Sequence, residues 1–197
     1  METTMDIKDD VSEVILNSAK TIFARYGFKK TTMDEIAHAS RKGKSSIYHY
    51  FKSKEDIFKA IVEKESDVLS AAIAKAINAE TTSEKKIRAY VLTRMKVINK
   101  LTNLYSALKD EYLEHYSFIE NVRVKYDTEE VNTIKGILKT GVEEGDFKIE
   151  DINLTAFALV TALKGLEYPL FIKNNYAKTE NRFEGLLNVL FYGIIAR

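Results

Sequence analysis

The chain has 197 residues, of which 45% are hydrophobic and 30% charged, and it contains no cysteine. That length can bury a substantial core without covalent staples. The missing cysteine excludes disulfides, thiolate metal sites and cysteine nucleophiles. The opening METTMDIKDD is polar and acidic. It lacks the apolar region of a signal peptide, and no apolar run reaches the ~18 residues of a spanning helix, so a cytoplasmic location is expected.

The net charge of +1 hides an uneven distribution. Residues 20–54 hold nine Lys or Arg against only Asp34 and Glu35, a local excess of +7 that leaves −6 for the rest. A basic block in a near-neutral chain is either a solvated face or a site for a polyanion.

In chain order, the pattern predicts helices throughout. Breakers are scarce, with one proline, Pro169, and eight glycines. Apolar residues recur three and four apart, and no alternating runs appear. Val11, Ile15, Ala19, Ile22 and Phe23 line one face of a first helix that ends near Tyr26, with Gly27 as its stop. Thr32 and Glu35 fit a capping box opening a second helix, with Ile36 and Ala37 facing inward. A break over residues 40–43 precedes a third helix over 44–50. Ser53 caps a long fourth helix reaching about residue 78, with Glu55 and Asp56 in its first turn. Ser83 is the expected cap of a fifth helix ending near residue 100. Further helices are expected over residues 104–115, 119–144, 152–172 and 179–196.

Residues 31–58 read TTMDEIAHASRKGKSSIYHYFKSKEDIF. Two short helices joined by a tight turn make a helix-turn-helix, whose second helix enters the DNA major groove with its early side chains toward base edges. Here that helix opens Lys44-Ser45-Ser46, small hydroxyls beside a cation. Ile47 and Phe51 are four apart and share an inward face, leaving Tyr48, His49 and Tyr50 on the faces between. The segment resembles the DNA-binding domain of the TetR family. Thr32, Ile36, Ala37, Ser46, Ile47, Tyr48, Tyr50, Phe51, Ser53, Lys54, Glu55 and Ile57 fit its pattern in register, and Ala19, Phe23, Gly27 and Phe28 match its first helix. The resemblance covers about residues 11–60. Beyond it, only length and helical organisation agree. The family's turn glycine falls at Arg41 and its following apolar residue at Lys42, while a glycine appears at Gly43. That departure implies a differently shaped turn, with Arg41 and Lys42 available for phosphate contacts.

The resemblance implies an all-α chain: a three-helix helix-turn-helix domain over residues 1–53 and a helical effector-binding and dimerisation domain over 54–197. It implies phosphate contacts from Thr32, Tyr48 and Lys54, with Lys42 beside them, and base-edge contacts from Lys44, Ser45, Ser46 and His49. Thr32 is an N-cap in either case, and Tyr50 fits core packing as well as DNA contact.

No catalytic constellation is visible, so the chain is read as no enzyme, with neither metal nor cofactor. His38, His49 and His115 are scattered, and the Glu111–His115 pair reads as a solvated ion pair. The body is rich in aromatics. Tyr105, Tyr112, Tyr116, Tyr126 and Phe157, with Lys164, are candidates for an apolar pocket with polar handles. Phe183, Leu187, Leu190 and Ile194 form one stripe of the last helix, widened by Leu186, Val189 and Gly193, with Phe157 and Val160 on the helix before it. A helix apolar over most of its circumference must be covered on several sides. The family's solution is a bundle of two such helices from each of two subunits. The expected protein is a homodimeric repressor, released from a palindromic DNA operator by a small hydrophobic effector. The alternative is a regulator, or a DNA-anchored partner-binding protein, without a small-molecule pocket.

Overall fold

The structure, a computed structural model, describes residues 5–101, 116–172 and 176–193, with side chains described for 10–101, 124, 126–165 and 183–193. Among the described residues there are eight helices and no strand. They are α1 (Met5–Tyr26), α2 (Met33–Ser40), α3 (Lys44–Tyr50), α4 (Lys54–Asn78), α5 (Ser83–Ile98), α6 (Tyr116–Glu143), α7 (Ile152–Ile172) and α8 (Tyr176–Tyr192). The helix expected over residues 104–115 lies outside the described residues. The chain divides into two compact units, one of the residues up to Asp67 with Leu101 and residues 116–122, the other of residues 68–100 and those from Arg123 on, so that one boundary falls inside α4, between Asp67 and Val68.

In the first unit, the three- and four-residue spacing of α1 buries Ile15, Leu16, Ala19 and Phe23 on one face. Gly27, at φ +82, then ends the helix in the left-handed region that glycine enters most cheaply. Ile36 and Ala37 of α2, Ile47 of α3, and Ile57, Phe58, Ile61 and Val62 of α4 close the same core. Phe23, Phe28 and Phe58 meet at its centre, with ring centroids 5.1–5.8 Å apart. Tilted and edge-on contacts of this kind add to plain burial. The core therefore reaches two turns into α4, and a division at residue 53 would strip it of Ile57, Phe58, Ile61 and Val62. Lys20 pairs with the buried Glu65 at 2.9 Å, and Lys64 pairs with Glu13, so α1 and α4 are also joined through charge.

The second unit buries Ile87, Tyr90, Val91, Met95 and Ile98 of α5 with Ile134, Ile137 and Leu138 of α6. Ala156, Val160 and Leu163 of α7 and Phe183 and Leu187 of α8 are buried as well. The cap of α5 is Thr82 rather than Ser83. The Thr82 hydroxyl accepts from the Lys85 amide at 3.3 Å, while Ser83 is fully buried inside the helix. α6 is described over Tyr116–Glu143. α8 begins at Tyr176 and stops at Gly193, whose φ of +74 makes it a helix terminator rather than part of an apolar stripe. No described helix is long and apolar enough to cross a membrane.

Candidate nucleic-acid interface

α2 is built by its own first four residues. Thr32 is the N-cap. Its hydroxyl accepts from the Glu35 amide at 3.2 Å and donates to Glu35 Oε2 at 2.9 Å, while the Thr32 amide donates to the same oxygen at 2.7 Å. The capping box read from the sequence is thus complete. It also engages the Thr32 hydroxyl within the protein.

The turn after α2 has the form that a glycine would give. Arg41 sits at φ 52, ψ 36, its amide donating to His38 O at 3.1 Å and the Lys42 amide to Ala37 O at 3.0 Å. These are the two bonds of a Schellman motif with its left-handed residue at Arg41. The expectation of a reshaped turn is corrected: the geometry is conventional, and an arginine occupies it at a cost of ~1–2 kcal/mol for a residue bearing a Cβ. Gly43 does not take over that role. It lies at φ −65 and is the N-cap of α3.

α3 turns Ile47 fully into the core, with Tyr50 and Phe51 packed partly against it. Tyr50 therefore belongs to the packing. Lys44, Ser45, Tyr48 and His49 are exposed, and their spacing of one, three and one places them on one outward face. Ser46 is half-buried at its edge and Lys42 half-buried just before it. Lys44 Nζ is 2.7 Å from Asp34 Oδ1 and 3.0 Å from Oδ2. The hydrogen bond to Asp34, helped by its charge, holds the lysine above its ordinary pKa.

Lys54 is placed otherwise than its assignment to phosphate required. Its ammonium donates to the carbonyls of Phe28, Lys29 and Thr31 at 3.0, 3.3 and 3.1 Å, and lies 4.5 Å from the centroid of the Phe28 ring. An ammonium has three donors, and all three are committed to the link between α1 and α2. Lys54 holds the helix-turn-helix onto α1 and has no donor left for DNA.

In the body, the expected interface residues separate into two sets. Phe157 is 60% exposed on α7 and Leu190 42% exposed on α8, and Leu186 is exposed beside it. Val160 and Leu187 are each only 3% exposed and Phe183 is buried with them, so these three belong to the protomer's own core. The outward apolar face is Leu154 and Phe157 of α7 with Leu186, Val189 and Leu190 of α8. Gly165 and Gly185, with open space where a Cβ would stand, lie exposed along it. Ile194 lies outside the described residues.

Of the pocket candidates, Phe157, Lys164 and Tyr126 have described side chains. Phe157 points away from the core and is corrected to the outward face. Lys164 is paired with Asp127 at 2.5 Å. Tyr126 is half-buried on α6. Tyr105 and Tyr112 lie outside the described residues, as does the side chain of Tyr116. Sequence reasoning missed Arg94, which is 1% exposed and bonds Glu130 through Nε and Nη2, each at 3.0 Å. The signal was present: Arg94 falls in the buried series Ile87, Val91, Ile98, and Glu130 falls four residues before Ile134. Arg88 was missed as well. It donates to Glu84 on its own helix and to Glu184 and Asn188 of α8, which tethers the outward-facing helix to α5. Among the described residues no cluster of His, Asp and Glu could hold a metal ion.

The profile of bacterial regulatory proteins of the tetR family matches residues 15–61, the segment that forms this core and its helix-turn-helix. The HTH-type transcriptional regulator QacR of Staphylococcus aureus is 27% identical over 166 residues, 82% of this chain and 85% of that protein. The HTH-type transcriptional repressor KstR2 of Rhodococcus jostii is 29% identical over 145 residues, 71% of this chain and 70% of that one. The fold is shared with the regulator FadR of Bacillus subtilis, solved with stearoyl-CoA, at a TM-score of 0.74 and 21% identity over 93% of this chain and 99% of that one. These relatives are named as transcriptional regulators. Residues 15–61 thus carry the helix-turn-helix of the tetR family, and with its all-helical body the chain is similar along most of its length to HTH-type transcriptional regulators.

Proposed function

We propose that the protein is a repressor that occupies a two-fold symmetric operator as a homodimer and leaves it when a small hydrophobic effector binds the body. The observation that carries this reading is the outward face of α3. Its exposed Lys44, Ser45, Tyr48 and His49 stand on a helix anchored through Ile47. Lys44, Ser45, Ser46 and His49 are assigned to base edges, and Tyr48 and Lys42 to phosphates. The exposed apolar residues of α7 and α8 support a helical dimer interface, because such a face gains most by meeting a second copy of itself. The repressor KstR2 supports the sign of regulation, and the stearoyl-CoA complex of the Bacillus regulator supports an effector with a long apolar chain. An effector favouring the DNA-free form weakens operator binding by a coupling of ~1–3 kcal/mol, and the operator weakens effector binding by the same factor.

Selection of bound fragments from genomic DNA tests the reading. Two inverted half-sites about one DNA turn or a multiple apart are expected. Lys44→Ala should change the preferred bases, whereas Tyr48→Phe should weaken all sites alike. Bound fragments without two-fold symmetry, or base preferences altered by Tyr48→Phe and not by Lys44→Ala, would overturn it.

A further inference from the structure

Among the described residues Arg41 is the one residue other than glycine at positive φ, while Gly27, Gly145 and Gly193 occupy the remaining such positions. The Schellman bonds at Arg41 are made by backbone alone, so glycine would keep both of them and relieve the Cβ. What arginine adds is its side chain. That side chain is exposed and makes no hydrogen bond or ion pair with any described residue.

Its neighbours in the basic block are differently disposed. Lys20 is paired with Glu65, Lys44 with Asp34, and Lys54 with three carbonyls. Arg25 lies against the Tyr26 ring. The excess positive charge of the segment is therefore partly spent inside the protein. A free guanidinium remains at the tip of the turn, three residues before Lys44 on the outward face of α3. A guanidinium presents a planar fork that matches the oxygens of a phosphodiester. Backbone strain retained at an exposed turn marks a side chain kept for function.

We propose that Arg41 is a phosphate anchor of the helix-turn-helix, held in a left-handed turn that lowers folding stability in exchange for a sequence-independent contact with the DNA backbone. The inference rests on the DNA-binding reading above and adds the turn itself to the contact surface. The anchor sets the distance of α3 from the backbone, so it acts alike on every duplex.

The test compares wild type with Arg41→Gly and Arg41→Lys by thermal melting and by fluorescence anisotropy on a long mixed-sequence duplex through a salt titration. Arg41→Gly should melt about 2–8 °C higher, the shift expected for relief of a ~1–2 kcal/mol left-handed penalty in a chain of this size. Its DNA affinity should fall, and the slope of log K against log salt should shrink by about 0.9 for each protomer bound. Arg41→Lys should melt like wild type and keep the slope. A glycine variant that binds with the wild-type slope overturns the anchor. One that melts at or below wild type overturns the strain. Wild type that fails to bind any duplex would sink the DNA-binding reading instead, and the melting comparison would still decide the strain.

Discussion

Replacing Lys54 with methionine separates two roles that the motif alone leaves merged. Methionine keeps most of the aliphatic stem against Phe28 and removes the ammonium. The bonds to the Phe28 and Thr31 carbonyls are partly buried and that to Lys29 is exposed. Counting only the two partly buried bonds at ~1.5 kcal/mol each gives about 3 kcal/mol, since the exposed one is replaced by water. The contact with the Phe28 ring adds about 0.5 kcal/mol at a half-exposed site. With ~2–4 °C per kcal/mol for a chain of this length, the melting temperature should fall by roughly 7–14 °C. Salt-titrated anisotropy on duplex DNA, well below the melt, should show weaker binding with an unchanged salt slope, because no phosphate contact is lost. A Lys54→Met protein that melts like wild type while its slope falls by about 0.9 per protomer would refute the carbonyl clamp and restore the phosphate role.

Leu190→Glu should yield folded monomers in sedimentation, because the residue is exposed in the protomer but its carboxylate would be buried in a dimer at several kcal/mol per ion. Leu187→Glu, by contrast, should fail to fold, since Leu187 lies within the protomer. A stable Leu190→Glu dimer would move the interface elsewhere. Gly141→Ala should destabilise by about 1–3 kcal/mol in urea unfolding. Its Cβ would stand 2.4 Å from the Phe147 ring and 2.9 Å from Ser83 Cβ, so an unchanged midpoint would mean that Phe147 swings aside at no cost.

Much of this protein is decided within a few residues of chain, and that much was readable from the sequence. The capping box at Thr32 and Glu35, the glycine stop after Tyr26, the bounds of α3 and the hydroxyl of Ser53 bonded to the Asp56 amide are local events. Their partners lie within four or five positions, so residue type and spacing suffice. The inward turn of Ile47 followed for the same reason, since a short helix with one apolar row has one way to face a core. Where a partner comes from another element, the spacing is silent. Lys54 is an exposed-looking cation until Phe28 and Thr31 deliver their carbonyls from 26 and 23 residues away. Arg94 needs Glu130, 36 residues on, before a guanidinium can be buried. α8 is apolar on more than one face, so its sequence carries no phase. Packing against α5 and α7 decides that Phe183 and Leu187 turn inward and Leu186 and Leu190 outward. Arg41 lies between the two cases: its departure from the motif is plain in the sequence. Only the backbone dihedral, imposed by the bonds at the end of α2, shows that the arginine accepts the glycine's conformation and does not displace it.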